Sequence, residues 1–198
     1  MKKSVLILVC LVAIATGTHA QRLIPGQRGL QLSYNIPINT AKENHLQSAK
    51  ALPAGGFGWA LAMTVNHKRA NYWLFGLEYV KKKFEYREMH IPSETIAFEG
   101  GYLLNLFSDA GKNVLLNTGI TAVAGYETVN RSDKLLPDGA TLLTRDRFVY
   151  GGAYHLALDV YATDNLVLFV KGKCNVLWGS DVEMFRPSLQ TGIRISLN

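Results

Sequence analysis

The sequence predicts an all-β chain, an eight-stranded antiparallel up-and-down β-barrel of outer-membrane type, and three observations carry that reading. Alternation with a period of two recurs along the chain, with aromatic and β-branched residues on one parity and small, polar or charged residues on the other. The alternating segments are long, most of them exceeding the roughly ten tilted residues that a bilayer requires. Long and short connections alternate along the chain, as they do in barrels whose tight turns share one end and whose longer loops share the other.

The clearest hairpin is the last. From Leu166 the even positions Leu168, Val170, Gly172, Cys174, Val176 and Trp178 are apolar or small, while the odd positions include Lys171, Lys173 and Asn175. After Gly179-Ser180-Asp181 the chain returns through Leu189, Thr191, Ile193, Ile195 and Leu197, interleaved with Gln190, Gly192, Arg194 and Ser196. By the same criterion the strands are about 29–36, 56–66, 71–83, 95–107, 113–129, 147–162, 165–178 and 187–197. Residues 37–55, 84–94, 130–146 and 179–186 read as loops, and residues 67–70, 108–112 and 163–164 as tight turns. Trp59, Tyr79, Phe98, Tyr126, Phe148, Tyr150 and Trp178 all fall near the loop ends, which reads as an interfacial aromatic girdle.

The N-terminus carries Lys2 and Lys3, an apolar run from Val5 to Ala15, and Thr18-His19-Ala20 before Gln21. That order is a secretory signal peptide cleaved after Ala20, because the run is shorter than the roughly 20 residues of a membrane-spanning helix. Removing residues 1–20 of the 198 leaves 178, one β-barrel domain over residues 21–198. Without Lys2 and Lys3, 19 basic residues face 15 acids, a formal net charge of +4. Such a balance demands no nucleic-acid partner. Cys174 is the one cysteine left after processing, so an internal disulfide is excluded.

If the greasy parity faces lipid, the opposite parity places Glu78, Glu99, Glu127, His155, Asp159, Lys171, Lys173 and Arg194 in the lumen. An eight-stranded barrel fills itself with side chains, so these charges are expected to pair as a structural network rather than to line a channel. Lys81-Lys82-Lys83 reads as a solvated strand end at the loop rim; the functional alternative is contact with lipopolysaccharide phosphates or an acidic partner surface. No catalytic constellation emerges. His155 and Asp159 share the inward parity, where a lipid substrate could not reach them, and no Gly-x-Ser-x-Gly elbow is present. His45, His67 and His90 lack metal-ligand spacing, and no cofactor motif occurs.

Ile24-Pro25-Gly26-Gln27-Arg28-Gly29 near the start of the mature chain resembles a known family, as do Leu177-Trp178-Gly179-Ser180-Asp181, Phe185-Arg186-Pro187-Ser188 and Gly192-Ile193-Arg194 near its end. The chain resembles the TraO family of conjugative-transposon transfer proteins of Bacteroides and relatives. The resemblance spans essentially the whole mature chain, with Pro25, Gly26, Gln27, Trp178, Gly179, Asp181, Phe185, Arg186 and Pro187 as its motif positions. It implies an outer-membrane part in the transfer of DNA between cells by a type IV secretion-like machine. It also implies other conjugation proteins as partners and no catalytic residues. The alternatives from other classes are a lipid-modifying barrel enzyme and a secreted soluble barrel that turns its bulky face inward onto a small ligand.

Overall fold

The computed structural model describes residues 23–38, 52–86, 89–130, 146–180 and 183–197. Eight strands follow one another around a closed antiparallel barrel. They are β1 (Arg28–Pro37), β2 (Leu52–Asn66), β3 (Tyr72–Tyr86), β4 (Met89–Ser108), β5 (Val114–Val129), β6 (Asp146–Tyr161), β7 (Leu166–Trp178) and β8 (Phe185–Leu197). Each strand pairs with its sequence neighbours, and β1 closes on β8 from Arg28↔Leu197 to Pro37↔Ser188. No sheet edge is left, which removes the unpaired backbone row that an open sheet presents to other chains.

The period-two pattern dictates the faces. On β2, Trp59, Leu61 and Met63 point outward and Ala60, Ala62 and Thr64 are buried inside. On β6, Tyr150, Tyr154, Leu156 and Leu158 are outside, whereas Val149, Ala153, His155, Ala157 and Asp159 are inside. The bulky apolar parity is the outer wall of the barrel, and the small and polar parity is the lumen.

Tight turns close one end with local chemistry. At the β5 end, Asp109 Oδ1 accepts from the Val114 amide at 2.9 Å and the Lys112 amide bonds the Asp109 carbonyl at 3.0 Å. Thr163 Oγ1 accepts from the Leu166 amide at 3.0 Å in the β6–β7 turn. Between β2 and β3 a single 3-10 turn at Lys68–Ala70 holds Arg69 and Ala70 in the left-handed region.

Three strand ends depart from the sequence expectation. β2 begins at Leu52, β3 continues to Tyr86 and β4 begins at Met89, so most of the stretch expected to be the third–fourth loop is a paired ribbon from Lys81↔Glu94 to Tyr86↔Met89. There the outward positions are charged rather than greasy, as at Lys81 and Glu94, so the alternation that marks the lower strands vanishes while the backbone ladder goes on. A bulge between Asn105 and Phe107 shifts the β4–β5 register, leaving Leu106 and Phe107 both exposed.

Aromatics form two outer bands rather than one. The expected band lies at the loop end, with Trp59, Phe98, Tyr126, Phe148, Tyr150 and Trp178 outward and Tyr79 half-buried. The second is at the turn end, where the Trp73 and Tyr102 rings are 4.8 Å apart and His67 Nδ1 lies 2.8 Å from the Tyr102 hydroxyl.

Candidate functional site

The chemistry of this barrel lies in its lumen, where parity aims most of its charged strand residues. Midway along, Lys173 Nζ donates to Glu78 Oε2 at 2.7 Å and to Glu99 Oε2 at 2.6 Å, all three side chains being buried. Asn35 Nδ2 and Gln190 Nε2 both donate to the other oxygen of Glu78, the second at 2.9 Å. One ammonium thus bridges two carboxylates on β3 and β4, and Lys171, buried one inward step away on β7, restores the balance of charge. Its Nζ stands 5.5 Å from the centroid of the Phe169 ring.

His155 is fully buried beside this cluster. Its Nε2 is 2.8 Å from Thr121 Oγ1 and 3.8 Å from Glu99 Oε2, and its Nδ1 has no hydrogen-bond partner among the described residues. A catalytic relay uses the two ring nitrogens for different tasks, one toward the nucleophile and one toward the orienting acid. Here the hydroxyl and the carboxylate crowd the same nitrogen, an arrangement that positions the ring without forming a relay.

Toward the turns, Arg194 Nη1 donates to Asp159 Oδ2 at 3.0 Å, and Asn117 Nδ2 donates to the same oxygen at 2.9 Å. The guanidinium lies over the Tyr72 ring, 4.5 Å from its centroid, with Phe169 at 5.9 Å on the same group. Leu74 and Leu103 cluster with Tyr72, Leu115 and Val167 cluster with Tyr161, and these four aliphatic side chains, all 0–1 % exposed, fill this end. Gly192 on β8 leaves room for the stack: a Cβ there would stand 2.1 Å from the Leu32 carbonyl oxygen and 2.8 Å from Phe169 Cζ.

Toward the loops, Arg186 Nη2 donates to Glu127 Oε2 at 2.5 Å and to Ser180 Oγ at 2.6 Å, while its Nε donates to the Glu183 carbonyl at 2.9 Å. Lys82 Nζ meets Glu183 Oε2 at 2.6 Å. Lys82 is therefore not a solvated strand end but a buried inward cation; of the triplet, Lys83 alone is exposed and Lys81 pairs with Glu94 at 2.7 Å. Among the described residues, Glu78, Glu99, Glu127, Asp159 and Glu183 thus face Lys82, Lys171, Lys173, Arg186 and Arg194. The acids and bases are equal in number, as burial of charge requires.

All eight lumen residues inferred from parity are inside and buried. The sequence reading missed Lys82, Glu183 and Arg186 as lumen charges because it assigned their segments to a strand end and a loop. Arg186 does keep the inward parity of Ser188, Gln190 and Arg194, so the signal was present. The motif positions have local reasons. Pro25-Gly26 makes a turn in which the Gln27 amide bonds the Ile24 carbonyl, and Gly26 and Gln27 exchange backbone bonds with Asn66 at 2.8 Å each. Gly179 has φ +85, and a Cβ there would stand 2.5 Å from the Phe148 carbonyl oxygen. Trp178 and Phe185 are outward, Pro187 is half-buried at the cavity mouth, and Asp181 lies outside the described residues.

An edgeless eight-stranded barrel with an apolar outer wall and a lumen filled by paired charges defines a barrel of outer-membrane type. Among solved structures it is similar to Neisserial surface protein A, with a TM-score of 0.51 at 11% identity over 86% of this chain and 96% of that one. It is also similar to Ail, the attachment invasion locus protein of Yersinia pestis, with a TM-score of 0.50 at 10% identity over 87% of this chain and 99% of that one. At such identities the likeness shows the fold alone. Residues 24–197 match the family described as Conjugative transposon protein TraO, and the chain belongs to that family. No curated protein matches the sequence.

Proposed function

We propose that this chain is an outer-membrane structural or accessory component of the type IV secretion-like apparatus that transfers a conjugative transposon between cells, and that it acts without catalysis. Family membership over residues 24–197 is the observation that carries this reading. The outer wall supports the location: Leu61, Leu77, Phe98, Ile120 and Tyr150 are each 52–71 % exposed on the outside, a continuous apolar surface whose natural solvent is lipid. The signal peptide, with the mature chain starting at Gln21, supplies the route. The transferred strand itself passes elsewhere, since a lumen occupied by Lys173, Glu78, Glu99, Arg194 and Tyr72 has no bore for DNA. The role is therefore one of contact with other conjugation proteins, at the loops, the turns or the wall.

Two measurements test this. The mature protein should fractionate with the outer membrane and need detergent for extraction. A clean deletion should lower transfer of the element and leave its excision unchanged, because an envelope protein has no access to cytoplasmic recombination. Release without detergent would refute the location, and normal transfer in the deletion would refute the role.

A further inference from the structure

On one flank of the barrel the outer surface at the turn end is layered. Leu30, Met63 and Phe75 stand side by side across β1, β2 and β3 and are 40–47 % exposed, an apolar row of the wall. The next outward row toward the turns is Arg28, Val65, Trp73 and Tyr102, in register from β1 to β4. Beyond it the β2–β3 turn presents Lys68 and Arg69, both exposed. Hydrocarbon, then an aromatic pair with a cation in its row, then two more cations at the tip follow one another over this flank.

The cationic layer is held in place. His67 Nδ1 lies 2.8 Å from the Tyr102 hydroxyl, and Asn71 Oδ1 accepts from the Asn105 amide at 2.9 Å, so the turn is tied to β4. Asn66 exchanges backbone bonds with Gly26 and Gln27, which fixes the chain just before Arg28 against the same turn. Arg28, Lys68 and Arg69 have no ion-pair partner among the described residues. Among the described turns the acids are Asp109 and Asp164, which belong to the β4–β5 and β6–β7 turns.

An acidic protein would match the cations but not the apolar row that continues directly from them. A lipid matches all three layers, with acyl chains along Leu30, Met63 and Phe75, the ester region at Trp73 and Tyr102, and the phosphate at the cations. Three cations with no acid on the same flank select a phosphate that carries no ammonium of its own. We propose that this flank binds an anionic phospholipid of the leaflet at the turn end, its phosphodiester held among Arg28, Lys68 and Arg69. The inference rests on the membrane location proposed above, and its test separates the two.

The chain has three tryptophans, so Trp59→Phe with Trp178→Phe leaves Trp73 alone to report on lipid at this flank. The full mature chain is reconstituted into mixed phosphatidylcholine and phosphatidylglycerol bilayers in which one lipid or the other carries brominated acyl chains, which quench tryptophan on contact. Phosphatidylglycerol should be preferred at Trp73 by about threefold or more, since each cation near an anionic surface contributes up to about fivefold. Trp178 as the one tryptophan, at the loop end, should show no such preference. Arg28→Gln, Lys68→Gln and Arg69→Gln together, checked by heat-modified gel migration for a folded barrel, should abolish the preference, whereas Lys83→Gln at the loop end should leave it. Quenching of Trp73 by neither lipid would refute the membrane wall itself. Equal quenching by both, a preference shared by Trp178, or one that survives the triple substitution would overturn the lipid site and leave the membrane location standing. Retention of soluble polyglutamate by the barrel in pure phosphatidylcholine, without a phosphatidylglycerol preference, would overturn it in favour of an acidic protein.

Discussion

The two ends of the lumen are built by the same eight strands, yet they are filled in opposite ways. At the turn end two buried clusters, Tyr72 with Leu74 and Leu103 and Tyr161 with Leu115 and Val167, fill the lumen, and a guanidinium bonded to Asp159 stacks on Tyr72. At the loop end the pairs Lys82–Glu183 and Arg186–Glu127 edge an open cavity that Asn35, Asn175 and Ser188 also line. A narrow barrel must fill its interior, and at the turn end it does so largely with apolar side chains beside one buried ion pair. At the loop end polar and charged side chains do the filling, and the cavity mouth stays open. Apolar packing is thus concentrated at the turns and paired charge at the loops.

The strongest way to break this comparison is to remove the buried acid at the turn end. Asp159→Ala would strand Arg194 among Tyr72, Phe169 and the leucines, and removing one partner of a buried pair costs about 3–5 kcal/mol. Urea unfolding in lipid vesicles measures it. A loss below that of an exposed acid would mean that the turn end is not the anchor.

Next in size is the wall between the two ends. Leu156 and Leu104 are 44 % and 48 % exposed on the outside, so an arginine at either should cost roughly 2–4 kcal/mol near the bilayer midplane. Ala157, adjacent to Leu156 but inward and fully buried, should accept serine with much less loss, because the lumen is polar. If Leu156→Arg were harmless in the same unfolding assay and Ala157→Ser unfolded the chain, the wall would not face lipid.

How much of this was legible in the sequence follows from where the outer wall is apolar. Along the wall, parity alone put His155 and Asp159 on β6 and Lys171 and Lys173 on β7 inside, where they are buried, because a slip of one residue would put a charge on the apolar outer face. Above the apolar wall that penalty is gone. Lys81, Lys82 and Lys83 read as a strand end even though β3 runs on to Tyr86, and Lys82 went unseen as a lumen charge. The partners were not legible at all. Glu78 and Lys173 are 95 residues apart in sequence and on strands that do not pair, so their meeting depends on the tilt of the whole barrel. The turn-end aromatic band was missed for a simpler reason: Trp73 and Tyr102 sit close to tight turns, and the reading looked for aromatics near long loops.

A smaller effect is expected at the loop end from Gly179→Ala. With φ +85, an L-residue there is strained by about 1–2 kcal/mol, and its Cβ would press on the Phe148 carbonyl. The β7–β8 exit, and Arg186 beyond it, should shift. Since Arg186 holds Glu127 at the cavity mouth, Arg186→Met should lower the unfolding midpoint less in the Gly179→Ala background than alone. Fully additive losses would show that Gly179 does not position Arg186.

The smallest expected effect is the most discriminating, because it measures an ion pair of similar length in the other environment. Lys82–Glu183 is 2.6 Å against 3.0 Å for Arg194–Asp159, so distance alone would make it the stronger. Its side chains, however, are 9 % and 14 % exposed at a cavity mouth, where solvent screens the attraction, whereas Arg194 and Asp159 are at 4 % and 0 %. Lys82→Met and Glu183→Gln, alone and together, should give a coupling energy of at most about 1 kcal/mol, the range for pairs that water reaches. Arg194→Met and Asp159→Asn should give a coupling several times larger, since there each single variant strands a charge that water cannot reach. If the two cycles returned equal couplings, the loop end would be as dry and as fixed as the turn end, and the division of labour between them would fall.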